Sequence, residues 1–316
     1  MDLVGLYVHS DEKAGRDAGE LCGVGPTGVV ATQNVDDLIA LDADCVLYMQ
    51  QRIDFDDICR ILESGKNIVT TRGEFHRPAS LDPQIRERVE AACQHGGTSI
   101  HSTGSSPGFI TEAIPFVLTS IERRLDRLTI YEFADLSQRD SPDLLFNIMG
   151  FGKEPTAFDE RRLGHGRQSF GPSLELVAEA LSMPLDSLEA SGEVAVVPRS
   201  VEIAAGTLEA GTVGGQRIEV SGIRNGQPVL RFVATWYCVA ELEPQWALRD
   251  TGWRIEVAGD APLDVDIRFP VPLDEYAAVS PGYTAHRAVN AVPVVCAAEP
   301  GIRSTADLPQ IIAILS

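Results

Sequence analysis

The first 125 residues alternate short apolar runs with amphipathic ones. Residues 3–8, 28–32, 44–49, 67–71 and 99–103 read as strands, most of them apolar on both faces, as in a buried parallel sheet. Two helices are well punctuated between them. Asp54 is placed as an N-cap, Phe55, Ile58, Ile61 and Leu62 share one face, and Gly65 marks the end. Asp82 and Pro83 form an N-cap with proline at the first helical position. Ile85, Val89 and Cys93 follow at i, i+4 and i+8, and Gly96 with Gly97 closes the segment. This strand–helix alternation predicts an α/β, Rossmann-type doubly wound parallel sheet.

Beyond residue 125 the period changes. Residues 128–136 read as a strand, and 142–150 and 172–181 as helical segments. Strand-like runs follow at 193–197, 201–209, 216–222, 229–242, 253–257 and 265–269. Asn225-Gly226 between two of them is a hairpin signal. A second, α+β domain on a mostly antiparallel sheet is expected, and the tail from Tyr283 is apolar and helical again. The predicted organisation is a first domain at 1–125, a second at 126–282, and a tail at 283–316 returning to the first. No repeat or low-complexity segment is present.

Composition narrows the function. The net charge of −20 argues against nucleic acid and anionic membrane as partners, because phosphate binding needs clustered cations. No apolar run approaches the roughly 20 residues that span a bilayer, and the first residues lack a signal-peptide pattern, so a cytoplasmic protein is expected. The six cysteines show no C-x-x-C spacing and are read as reduced core thiols. The six histidines form no H-x-x-x-H pair, so no metal site is expected.

Residues 23–28, Gly-Val-Gly-Pro-Thr-Gly, match G-x-G-x-x-G letter for letter. The chemistry of that motif needs a strand directly before it and a helix N-terminus directly after it. Here the preceding strand ends some fifteen residues earlier, β-branched residues follow, and Pro26 removes a donor. The segment is read as a plain loop. No other glycine-rich strand-to-helix turn opens the first domain. The expectation is therefore a dinucleotide fold whose first strand, phosphate loop and first helix are absent from this sequence.

Four blocks carry a family resemblance. They are residues 8–23, Val-His-Ser-Asp-Glu-Lys-Ala-Gly-Arg-Asp-Ala-Gly-Glu-Leu-Cys-Gly; residues 70–78, Thr-Thr-Arg-Gly-Glu-Phe-His-Arg-Pro; residues 102–109, Ser-Thr-Gly-Ser-Ser-Pro-Gly-Phe; and residues 288–293, Ala-Val-Asn-Ala-Val-Pro. In this order they resemble the dihydrodipicolinate reductase-like superfamily, nearest 2,4-diaminopentanoate dehydrogenase and the native NAD(P)-dependent amine dehydrogenases. The resemblance implies an NAD(P)H-dependent oxidoreductase that interconverts a carbonyl compound and an amine, and a homodimer. It also implies a catalytic glutamate at Glu74, holding ammonia near the carbonyl and moving protons as the carbon–nitrogen bond forms. A partly desolvated carboxylate suits that work.

Around this residue, Thr70, Thr71, Thr103 and Gly104 are expected to line the nicotinamide end of a cofactor cleft, with Tyr48 and Met49 bordering it. Ligands of open parallel sheets bind at the strands' carboxyl ends. Ser106 lies where a helix start would present amides to a substrate. His9, Ser10 and Lys13 follow a strand at the position that selects NAD or NADP, with a lean towards NADP although Asp11 and Glu12 lie beside them. Arg139 and His165 are substrate candidates in the second domain, and Asn290 is a cofactor or hinge candidate in the tail. True dihydrodipicolinate reductases carry a histidine-rich segment with a catalytic lysine. Lys153 is the one lysine beyond residue 66 and has no such segment around it. That departure counts against dihydrodipicolinate reduction itself. Reduction of a C=N or C=C bond in a cyclic acid, which the superfamily name implies, is the alternative, and a non-catalytic ligand-binding protein is a further one.

Overall fold

A computed structural model describes residues 1–156, 158 and 160–315. The chain folds as two units, Met1–Ser102 with Ala288–Ser316, and Thr103–Arg287.

The first unit contains β1 (Leu6–Tyr7), α1 (Ala18–Cys22), β2 (Ala31–Thr32), α2 (Val35–Ile39), β3 (Cys45–Tyr48), α3 (Phe55–Glu63), β4 (Asn67–Thr70), α4 (Pro83–Gly96) and β5 (Ser99–Ser102). The expected helix signals act as read. Asp54 accepts from the amides of Asp56 and Asp57, and Asp82 from those of Gln84 and Ile85, while Gly97 closes α4 at φ 66°. Side-chain oxygens thus satisfy amides that the first helical turn leaves without partners.

Strand alternation then sorts the residues of the sheet. Ile68 and Ile100 join Ile58, Leu62, Val89 and Cys93 under α3 and α4, whereas Val69 points into a cluster with Ala288, Ala291 and Val295. A sheet covered on both faces is the doubly wound arrangement that the alternation predicts. The strands are shorter than the apolar runs suggest. β1 keeps two of the six residues read at 3–8 and pairs in parallel with β2 alone. The larger sheet is parallel throughout, in the order β14-β5-β4-β3.

The second unit contains α5 (Ile114–Thr119), β6 (Leu125–Asp135), α6 (Glu160–Ala180), β7 (Ser187–Val196), β8 (Val201–Ile203), β9 (Gly206–Leu208), β10 (Val213–Arg224), β11 (Gln227–Tyr237), β12 (Gly252–Gly259) and β13 (Leu263–Arg268). Helix α7 (Leu273–Cys296) gives its first part to this unit and its remainder to the first, where β14 (Gly301–Arg303) follows. The six-stranded sheet has the order β13-β12-β6-β11-β10-β7, antiparallel except at the β6–β11 pair. Asn225 and Gly226, both at positive φ, turn β10 into β11, as a tight two-residue hairpin requires.

Two helices begin earlier than the sequence pattern predicts. α6 starts at Glu160 rather than near 172, and it carries Gly164, Gly166, Gly171 and Pro172, all poor helix formers. Packing explains it. A Cβ on Gly166 would come within 3.2 Å of Ile218 and one on Gly171 within 2.7 Å of Leu188, so these glycines let the helix lie close on the sheet. Phe170 stacks on Phe232 with ring centroids 4.0 Å apart at the centre of that contact. α7 starts at Leu273, ten residues before the expected Tyr283, despite Pro281 and Gly282. Tyr276 and Tyr283 both stack on Phe269, which fixes its first turns. The run 201–209 is a small hairpin, β8–β9, rather than one strand.

Candidate active site

In the first unit the site is built on three strand ends. Tyr48, Thr70 and Ser102 lie in register across β3, β4 and β5, so the segments after them leave the same carboxyl edge of the sheet. Polar side chains tie the edge together. The Thr70 hydroxyl donates to the Tyr48 carbonyl at 2.7 Å, and the Ser102 hydroxyl to the Arg72 carbonyl at 2.7 Å.

Glu74 sits on the short turn Gly73–Phe75 just past β4. Phe75, fully buried in the α3/α4 core, anchors that turn. The Glu74 carboxylate is about one-third exposed and pairs with the Arg72 guanidinium at 2.5 Å, while Arg72 also donates to the Gln51 carbonyl at 2.7 Å. Glu74 is thus held by a cation rather than isolated in apolar surroundings. Arg72 is the partner of Glu74 that the sequence pattern does not single out, although its place two residues before Glu74 is the available signal.

The other candidates of this unit divide. Met49 is exposed at the same edge and accepts from the Thr71 hydroxyl at 3.5 Å. Tyr48 turns inward: its ring is buried, and its hydroxyl donates to Gln50 and accepts from the Asp54 amide at 2.9 Å. Burial pushes that phenol above its ordinary range. Only the backbone of Tyr48 therefore reaches the edge. His9, Ser10 and Lys13 are exposed on a turn after β1, whose fold is closed by the Lys13 amide on the Ser10 carbonyl at 3.1 Å. Asp11 on that turn accepts from Gln33 at 3.0 Å. Asn290 is part-buried on α7.

The Gly23–Gly28 loop is occupied by the protein's own carboxylate. Asp17 accepts from the amides of Gly19, Thr27 and Gly28 at 2.8, 2.9 and 2.6 Å, and from the Thr27 hydroxyl. These donors hold the Asp17 carboxyl down to about 2. The donors that a phosphate loop would offer its ligand are here consumed internally, in agreement with its reading as a plain loop.

In the second unit, Thr103 is buried and accepts from Arg287 at 3.4 Å, and Gly104 is buried beside Thr284. Residues 105–113 form a widened helical turn broken at Ser106, Pro107 and Gly108. The expected row of free helix-start amides is absent at this turn. The Ser105 and Gly108 amides donate to Thr284 and Thr111 hydroxyls, and that of Phe109 to the Gly104 carbonyl. The Ser106 hydroxyl, by contrast, is buried without a hydrogen-bond partner. Arg139 lines a shallow hollow with Asp135, Leu136, Gln138, Tyr276 and Ser280. His165 stands exposed on α6, apart from that hollow's lining.

Two polar groups escape the sequence pattern. Glu112 is fully buried and accepts from the Ser173 hydroxyl at 2.5 Å; its carboxylate also acts on Arg287, whose guanidinium burial pulls below its ordinary range. A glutamate inside the apolar run 109–118 is the available signal. Glu132 accepts from two indoles, Trp236 at 3.1 Å and Trp253 at 3.0 Å. Its signal is weaker, since strand alternation alone makes it one polar residue among several.

An open parallel sheet covered by helices, followed by a mixed-sheet unit, is the architecture of the Rossmann-type oxidoreductases. The sequence pattern of the 2,4-diaminopentanoate dehydrogenase C-terminal domain matches residues 109–316, and the chain belongs to that family. It is 27% identical to an amine dehydrogenase of Streptomyces virginiae, with 98% of this chain and 89% of that protein covered. It is 23% identical to the 2,4-diaminopentanoate dehydrogenase of Acetoanaerobium sticklandii, covering 90% of this chain and 77% of that one. Among solved structures, an amine dehydrogenase from Mycobacterium smegmatis shares the fold, with a TM-score of 0.76, 18% identity, and 99% and 90% of the two chains covered. The family resemblance read from the four sequence blocks is thereby established.

Proposed function

We propose that this protein is an NAD(P)-dependent amine oxidoreductase that interconverts a small carbonyl compound and an amine, with Glu74 as its acid–base residue. Family membership supports the reaction class. The observation that carries the assignment of Glu74 is its place on a rigidly anchored turn at the carboxyl edge of the sheet, paired with Arg72. There a carboxylate takes a proton from the amine nitrogen or returns it, and Arg72 fixes the direction in which it points. A nicotinamide cofactor supplies the hydride transfer when bound.

The residues of the first unit fit part of such a cofactor. Met49 and Thr71 offer an open edge beside Glu74, and His9, Ser10 and Lys13 offer an imidazole, a hydroxyl and an ammonium group suited to a ribose phosphate. The lean is towards NADP. The Gly23–Gly28 loop does not fit a pyrophosphate, because Asp17 already fills it. In this reading the first unit is the dinucleotide-binding domain and the second the substrate domain, with Ser106 and Arg139 facing substrate. The protein acts in the cytoplasm as a homodimer.

The test is direct. Titration with NADPH and with NADH, followed by nucleotide fluorescence, should show saturable binding, and amines should drive reduction of the oxidised cofactor. Glu74→Gln should lower kcat by about a hundredfold or more while leaving cofactor binding and thermal melting in place. Full activity in that variant removes Glu74 from its role. The occupied glycine loop favours one second reading, a ligand-binding protein without catalysis, and absence of saturable binding of either nucleotide would decide for it.

A further inference from the structure

We infer that Glu132 is the centre of a binding subsite for an alkylammonium group. The assignment takes its substrate from the amine oxidoreductase reading and adds to it the residues that recognise positive charge.

On β6, Leu128 and Ile130 point into the helix-covered face of the six-stranded sheet, and strand alternation puts Glu132 next on that face. Its neighbours across the sheet are aromatic. Trp253 lies directly opposite on β12, and Trp236 stands two residues beyond its partner Ala234 on β11. Each carboxylate oxygen accepts one indole N–H, at 3.1 Å from Trp236 and 3.0 Å from Trp253. Phe269 meets Trp253 edge-on at 4.6 Å, and Tyr276 and Tyr283 stack on Phe269.

The two indoles satisfy hydrogen-bonding capacity without neutralising charge. Among the described residues no lysine, arginine or histidine forms an ion pair with Glu132. Neither neighbouring arginine forms an ion pair with Glu132, although the Arg139 Nε is buried without a partner. Arg139 borders the hollow with Tyr276, and Arg287 lies over Phe109 under the influence of Glu112. Burial and the Glu132 charge together push the Tyr276 phenol up to about 12, which keeps it a neutral donor.

A part-buried carboxylate with its charge uncompensated is costly, and a cation that reaches it removes that cost. Each oxygen retains a further lone pair, and aromatic faces around it add attraction for a cation. A neutral carbonyl or hydroxyl group gains little here and an anion is repelled. An alkylammonium ion is the ligand that this combination selects, and the fixed indoles set where its nitrogen sits.

The proposal is tested on the whole protein by tryptophan emission, since two of the three tryptophans contact Glu132. Pentylammonium and pentanol, equal in length and unequal in charge, are titrated at constant ionic strength. Wild type should bind the ammonium about tenfold or more tightly than the alcohol, and Glu132→Gln should reduce that preference to about twofold or less. The proposal is overturned if wild type binds both alike, or if Glu132→Gln keeps the preference. Where Glu132→Gln does not fold, Glu132→Asp serves, because it keeps the charge but draws it away from both indoles. A several-fold loss of preference supports the subsite, and an unchanged preference overturns it. Absence of amine-dependent NAD(P) reduction, with Glu132-dependent ammonium binding intact, would sink the enzymatic reading alone.

Discussion

The two units solve the problem of placing a charged group in a sheet in opposite ways. In the first, β4 and β5 have four residues each and are covered on both faces, so no position within them tolerates an unpaired charge. Its chemical groups therefore sit past the strand ends, on turns such as that of Glu74. In the second, β10 and β11 run for twelve and eleven residues, with one face on α6 and the other bearing charged pairs. Arg231 grips Glu219 through two nitrogens, and Arg254 grips Asp264 likewise. There Glu132 sits on the strand itself. Short buried strands leave polar groups to the turns past their ends, while the long strands hold single carboxylates within the sheet, Glu132 on the helix-covered face under two indoles and Glu219 on the other face against Arg231.

The largest effects should come from the long-strand core. Phe232→Ala removes a fully buried ring stacked on Phe170 and should cost about 4 kcal/mol in urea unfolding; a loss under about 1 kcal/mol would mean that the sheet–helix contact tolerates a cavity of that size. Glu112→Ala strips a buried carboxylate from the Ser173 hydroxyl and should cost about 2 kcal/mol in the same assay, against a gain in stability if the buried charge is a liability.

In the short-strand unit, Ser99→Ala deletes the bond from the Ser99 hydroxyl to the Val295 carbonyl at 2.6 Å and should cost about 1 kcal/mol. The smallest effect is at Asp17, whose folded carboxyl lies near 2, below the ordinary 3.8. A depressed carboxyl contributes stability that is complete above its unfolded value and is lost as pH falls towards its folded one. Asp17→Asn should thus flatten the acid limb of stability between about pH 4 and 2, measured by melting temperature. An acid limb unchanged by the substitution would show that the loop holds without that carboxylate.

What is legible in the sequence follows from the range of the forces involved. Asp54 and Asp82 cap their own helices, and Asn225-Gly226 turns its own hairpin, all within a few residues. The carboxyl edge bearing Glu74 is legible for the same reason, as an apolar run ending in small polar residues. α6 reads as too short because its glycines look like breakers until Ile218 and Leu188 are set against them. Glu132 and Glu112 stay hidden because their partners lie 104 and 121 residues away in one case and 61 in the other. Tyr48 shows the converse: its position at a strand end is right, but the alternation of a pleated strand turns its ring into the core.

The path of the chain through the first unit has a consequence for how the protein is made. Residues 1–102 leave the ribosome before residues 288–316, yet Val69 packs against Ala288, Ala291 and Val295 of α7, and β14 pairs with β5. Domains commonly fold as they emerge. This one must wait, with an apolar face and an open strand edge, until some two hundred further residues have been synthesised. A nascent chain stalled before residue 288 leaves that face uncovered, because α7 supplies residues that pack against it.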